Sequence, residues 1–278
     1  MADKFEDLLG GAEPNQIQAP IFATIESLEG FAACVAGLAS QDGKLWYRGT
    51  RQSDHHLRPS LFRHPTVDKP DELIELEWEL LSDFRHQAPP FAGALPEKDL
   101  ELLFLMQHFG VPTRLLDWTE NPFVALFFAL ENALQMGAQE KDAAVWILNP
   151  LDLNARAMKH RVASQKIFGA YADELGGYQP SADGKRVTMK LPIAIFGVHN
   201  SPRIVAQRGA FVLFGKDTDP LDQHAELSGE GGIVMKVLIP AGSKKQMFKN
   251  LYDIGISDAV VYPDLDGLGR EIKNRKGF

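Results

Sequence analysis

Apolar residues return at helical spacing in several stretches of the chain. Leu28, Phe31, Val35 and Leu38 predict a helix over 27–39 with Ser27 as its N-cap. The turn residues Gln41-Asp42-Gly43 follow, and the alternation around Leu45 and Tyr47 predicts a short strand over 44–48 that ends at Gly49. Amphipathic helices are predicted over 71–85 and 97–109. Residues 113–118 read as extended, and Asn121-Pro122 opens a strongly apolar helix, a good place for proline because the first helical N–H has no intrahelical partner. Strands are predicted over 143–148, 204–206, 209–214, 233–239 and 259–262, and helices over 243–251 and 265–273. Residues 150–200 carry a basic amphipathic segment and a Gly- and Pro-rich stretch, and are expected to form a long loop. The pattern is that of an α+β protein. Residues 1–20 lack periodicity and are expected to be a flexible lead-in to a single domain over 21–278, with no internal repeat or heptad run.

Composition narrows the function. The 278 residues carry a formal net charge of −8, which argues against broad electrostatic binding of nucleic acid. Two stretches could form a local basic patch, Arg48, Arg51, Arg58 and Arg63 in the first and Arg156, Lys159, Arg161 and Lys166 in the second, the second reading also as a solvated surface of mixed charge. The single cysteine, Cys34, permits no intrachain disulfide and fits a reducing compartment. The acidic N-terminus is unlike an export signal, and the apolar run 123–130 is far shorter than the ~20 residues of a spanning helix. A cytoplasmic protein without membrane insertion is therefore expected. No metal site is expected either: His55-His56 has no supporting ligand spacing, and Asp264-Leu265-Asp266-Gly267 reads as a helix cap rather than a calcium loop.

The polar residues set among apolar ones are the candidate chemistry. Between His108 and Asn121 lie Arg114, Asp117, Thr119 and Glu120, next to a helix that should be buried. One reading is a structural knot, with Arg114 paired to Asp117 and Thr119 or Asn121 capping the helix. The other is an anion site, in which Thr119 and Asn121 line the positive end of that helix. Arg48, at a strand end, is either a surface ion pair or a guanidinium fork offered to a diphosphate or carboxylate. Gln207, in a strand-like run before Gly209, either satisfies backbone groups at a bulge or contacts a ligand.

The segments Trp46-Tyr47-Arg48-Gly49-Thr50, His108-Phe109-Gly110-Val111-Pro112-Thr113-Arg114-Leu115-Leu116-Asp117-Trp118-Thr119 and Asn121-Pro122 with Ala125-Leu126-Phe127-Phe128-Ala129 resemble the FRG-domain family. Tyr47-Arg48-Gly49 stands at the motif that gives the family its name. Pro202 to Phe211 and Tyr262 to Gly267 look like its later blocks, so the resemblance spans about residues 25–272. More distantly, the order of these blocks resembles the ADP-ribosyltransferase superfamily, which implies a split of mostly antiparallel strands with flanking helices. That resemblance implies NAD as substrate, consumed by transfer of ADP-ribose to a macromolecular acceptor or by hydrolysis. It casts Arg48, Thr119 and Gln207 as catalytic residues. Tyr47, Gly49, His108, Asp117, Asn121 and Phe128 would join Arg48 and Thr119 in holding NAD, with Tyr47 or Phe128 stacking on nicotinamide. A bacterial toxin or phage-defence effector is the implied setting. The alternative is a non-catalytic module that binds a nucleotide or a protein partner in the same pocket. Many active transferases of the superfamily carry Glu where this chain has neutral Gln207, and Glu226 or Glu230 would be substitutes for the missing charge.

Overall fold

The computed structural model describes residues 19–42, 44–134, 140–159, 166–182, 186–198, 202–224, 227 and 233–277. Their strands are β1 (Ile21–Thr24), β2 (Trp46–Thr50), β3 (Leu115–Thr119), β4 (Ala143–Leu148), β5 (Phe168–Gly169), β6 (Ile193–Phe196), β7 (Gly209–Leu213) and β8 (Val234–Ile239). They form one sheet in the order β1-β8-β4-β2-β3-β7-β6-β5. The pairs β1/β8 and β5/β6 are parallel and the others antiparallel, so the architecture is α+β with a mixed sheet.

Side-chain alternation along the strands sorts the core into three clusters. Trp46, Trp146 and Leu148 share one face with Leu116, Trp118 and Val212, so this cluster runs under both halves of the sheet. On the opposite face the halves are covered separately. Tyr47, Val145, Ile147 and Val237 pack under the helices Leu28–Asp42, Pro122–Leu130 and Lys244–Asp253. Leu115, Ile193 and Leu213 pack under the helices Pro70–Gln87 and Asp99–His108. A seam is left between the two helical layers.

The seam coincides with the weakest junction of the sheet. β2 is paired with β4 along its whole length, as is β3 with β7. Between β2 and β3, only Tyr47 and Thr119 pair. Beyond that pair the strands part. The Pro122–Leu130 helix is held hard against β2 at Gly49, where a Cβ would lie 2.0 Å from the Ala125 carbonyl oxygen and 2.5 Å from the Ala129 nitrogen. Glycine is required there by helix packing.

Several expectations hold in detail. Ser27 Oγ accepts the Gly30 N–H at 3.1 Å, Asn121 Oδ1 accepts the Phe123 N–H at 3.0 Å, and Asp264 Oδ1 accepts the Gly267 N–H at 2.7 Å, each capping a helix. Others are corrected. Residues 150–200 are not one long loop: they contain the helix Pro150–Ala157, a 3₁₀ turn at Asp173–Tyr178, and β5 and β6. The helix starts on the same Asn-Pro signal read at residues 121–122, with Asn149 Oδ1 capping Leu151 and Asp152. The stretches 204–206 and 259–261 are helical, in Pro202–Gln207 and Asp258–Val261, with Tyr262 the C-cap of the second, because three or four apolar residues satisfy either period and flanking structure decides. β1 falls just past the expected lead-in, whose residues 1–18 lie outside the described ones.

Arg114 does not pair with Asp117. Its Nε donates to Glu77 Oε2 at 2.7 Å and its backbone N–H to Glu77 Oε1 at 3.2 Å. Its remaining guanidinium nitrogens donate to the Phe214 carbonyl at 3.0 Å and to the Tyr178 carbonyl. Arg114 and Glu77 are both 0% exposed, and the knot ties the Pro70–Gln87 helix to β3, to the end of β7 and to the 3₁₀ turn.

Candidate functional site

The parting of β2 and β3 opens a cleft of about 370 Å³, a size common for small-molecule sites. Arg48, one residue past the last β2/β3 pair, reaches across the gap and donates through Nη1 to the Asp117 carbonyl oxygen. The guanidinium bridges the strands where the ladder has stopped, and Arg48 lines the cleft. Its charge stands 4.0 Å from Asp117 Oδ2. Burial lowers the Arg48 pKa, the Asp117 carboxylate opposes this, and the nearby Arg63 charge adds to the lowering. Asp117 is in turn oriented by Gln107, whose Nε2 donates to Oδ2 at 2.9 Å while its Oε1 accepts the Thr113 hydroxyl at 2.6 Å.

Four arginines line the cleft, Arg48, Arg51, Arg63 and Arg203, against two carboxylates, Asp117 and Glu131. Arg51 lies 3.6 Å from Glu131. Among the described residues Arg63 and Arg203 have no ion-pair partner, so the cleft holds an excess of two positive charges in a chain whose net charge is −8. Among the described residues Arg63 donates to the Pro59 carbonyl, at 3.4 Å, and Arg203 stacks over the Tyr262 ring at 4.7 Å. An apolar complement comes from Tyr47, Phe104, Phe128 and Phe211. Trp118 borders the same space with its indole N–H buried and without an acceptor among the described residues.

Of the residues singled out by sequence, Tyr47, Arg48, Gly49, His108, Asp117, Thr119, Phe128 and Gln207 converge on this cleft. Asn121 is not among its lining residues; its side chain is the helix cap. Gly49 is explained by the helix lying on it. Thr119 is buried, and its hydroxyl donates to the Gln207 carbonyl oxygen and accepts the Asn121 N–H at 3.0 Å. Gln207 ends the Pro202–Gln207 helix rather than sitting in a strand, and its Nε2 donates to the Val261 carbonyl at 3.0 Å. Arg208 then takes a left-handed φ of 46°, the sharp joint that starts β7. Thr119 and Gln207 therefore brace the helix that presents Arg203. Burial, with the Arg203 charge, lowers the His108 pKa, and Asp264 opposes it.

Sequence reasoning did not single out Gln107, Glu131 or Arg203 as site residues, and the signal for them is tertiary. Of the first basic patch, Arg48, Arg51 and Arg63 join the cleft, whereas Arg58 Nε donates to the Thr218 carbonyl at 2.9 Å. In the second, Arg156 is tied to the Leu227 carbonyl at 2.7 Å and Lys166 to Glu174. Arg161, Glu226 and Glu230 lie outside the described residues. Among the described residues no three His, Cys, Asp or Glu side chains are grouped to hold a metal, and no helix is long and apolar enough to cross a membrane.

The FRG domain family model matches residues 43–137, which carry β2, the Arg114 knot, β3 and the helix lying on Gly49. That segment of the chain is similar to the FRG domain. Neither a curated protein nor a solved structure matches the chain.

Proposed function

We propose that the split between β2 and β3 binds a nucleotide through its diphosphate, and that NAD is the ligand and substrate. The observation that carries this reading is the two-charge arginine excess at the point where the strands part, since a diphosphate brings about two negative charges and Arg presents a rigid fork to each phosphate. Arg48 grips the diphosphate, and the rings of Tyr47 and Phe128 offer stacking faces to nicotinamide. The reaction is rupture of the bond between the ribose and nicotinamide. The bonding electron pair leaves with the pyridinium nitrogen, which becomes neutral, and positive charge develops on the ribose. An acceptor nucleophile or water then adds to the ribose carbon and gives up its proton. Such a step depends on fixed geometry and electrostatics more than on a protein nucleophile. The carboxylates of Asp117 and Glu131 supply the negative charge that Gln207 lacks. NAD consumption in the cytoplasm suits a bacterial toxin or phage-defence effector, with the acceptor a macromolecule.

One observation favours the non-catalytic reading, a nucleotide- or protein-sensing module. The Thr119 hydroxyl and the Gln207 amide both make internal bonds, to the Gln207 and Val261 carbonyls. Nicotinamide release from NAD separates the two, measured with purified protein, with Arg48→Ala and Gln207→Ala, and with cell lysate as a source of acceptors. The enzyme reading predicts release that both substitutions abolish, with label transferred to an acceptor if the reaction is transfer. Binding of NAD without release under any condition supports the sensing module instead.

A further inference from the structure

Glu131 occupies an electrostatically unfavourable place. It is the C-cap of the Pro122–Leu130 helix, where the macrodipole disfavours an anion, and that helix has no basic residue in its last turn. Yet its carboxylate lines the cleft and is held from two sides, with Arg51 3.6 Å from Oε1 and the Tyr262 hydroxyl donating to Oε2 at 3.0 Å. A group kept where it weakens its own helix has another use in the fold, and here it borders a ligand-sized space.

Tyr262 comes from far along the chain, outside the segment that matches the FRG model. Its ring touches Phe128 edge-on at 5.9 Å and carries two guanidinium groups, Arg203 at 4.7 Å and Arg270 at 4.0 Å. Arg270 stands 3.8 Å from Asp258, and Asp258 is bonded by the Tyr252 hydroxyl and by Asn274. The neighbouring Val261 carbonyl receives the Gln207 amide. One aromatic side chain thus sets both an anion, Glu131, and a cation, Arg203, on the cleft wall, and is itself anchored by residues 252–274. Burial, then the Glu131 carboxylate, drives the Tyr262 pKa upward, so the hydroxyl remains a donor at neutral pH.

We infer that Tyr262 is a positioning residue that aims the Glu131 carboxylate at the hydroxyl groups of a ribose-bearing ligand, so that the segment around residues 257–277 completes the site built by the FRG segment. The inference rests on the nucleotide reading of the cleft and adds a division of labour. Arg48 and Arg63 hold phosphate; Glu131, set by Tyr262, holds sugar hydroxyls.

The test is binding of two probes, ADP-ribose and inorganic pyrophosphate, to the full chain and to Glu131→Gln, Tyr262→Phe and the double variant. Tyr262→Phe keeps the ring on which both guanidinium groups stack and removes only the hydroxyl. The expected result is a roughly tenfold loss of ADP-ribose affinity in each single variant, no further loss in the double variant, and pyrophosphate affinity within about twofold of the parent. A purely structural role for Tyr262 would lower both affinities together. Equal loss for both probes, no loss for either, or additive losses in the double variant overturns the inference while leaving the cleft as an anion site. A parent chain that binds neither probe removes the nucleotide reading and this inference with it.

Discussion

Two arginines of the FRG segment, Arg114 and Arg48, stand at opposite ends of the same problem, which is where the donors of a guanidinium go. Arg114 is wholly buried, and Glu77, Phe214 and Tyr178 occupy its fork. Arg48 sits at the parting of two strands with one carbonyl bond and a carboxylate at 4.0 Å. Both are surrounded by apolar strands, and both look alike in a sequence. The difference is that one charge is closed by the fold and the other lines a cavity with two more arginines, Arg63 and Arg203, that have no ion-pair partner among the described residues. A closed charge holds the fold together; an open one is available to a ligand.

The comparison is broken most forcefully at the closed end. Arg114→Met leaves the Glu77 carboxylate buried and unpaired, and is expected to cost about 3–5 kcal/mol of stability, read by urea unfolding. Adding Glu77→Gln should recover part of that loss, because the stranded charge is gone. If Arg114→Met unfolds at the parent's denaturant midpoint, the knot is not structural.

A smaller effect is expected at Gly49, which separates packing from ligand contact within the same motif. Gly49→Ala must push the Pro122–Leu130 helix off β2, at a cost of about 1–3 kcal/mol. Because Phe128 and Glu131 ride on that helix or at its end, ligand affinity should fall together with stability. Equal stability of parent and variant, measured the same way, would mean that the helix does not rest on this glycine as described.

The smallest effect concerns pH. The folded-state pKa of His108 lies below its ordinary 6.5, so as pH falls through 6.5 the unfolded chain takes up the proton first and stability is lost until the folded pKa is reached. Above 6.5 the residue contributes no pH dependence. His108→Asn should flatten this slope between the two pKa values while leaving the neutral-pH midpoint nearly unchanged. A slope that is identical in parent and variant would place the titration elsewhere.

What the sequence made legible follows physical range. Caps, Asn-Pro helix starts and long periodic runs are local signals, and Ser27, Asn121 and Asp264 act as the pattern implies. Arg48, Asp117 and His108 could be named from a motif within 43–137. Partners chosen by tertiary structure could not: Arg114 finds Glu77, 37 positions away, rather than Asp117, three away. Arg203 and Glu131 are held at the cleft by long-range contacts with Tyr262, Arg51, Thr119 and Gln207. The short segments 204–206 and 259–262 hold too few residues for a period to be read, and in the fold 204–206 and 259–261 are helical.

The central claim is that Arg48 marks an open anion site rather than a second structural knot. Calorimetric titration of NAD into the parent chain and into Arg48→Ala, beside urea unfolding of both, tests it directly. The account predicts that the parent binds, that Arg48→Ala loses roughly a hundredfold in affinity, and that its stability stays within about 1 kcal/mol of the parent. Undiminished binding by the variant, or a stability loss like that expected for Arg114→Met with no binding by the parent, would contradict it.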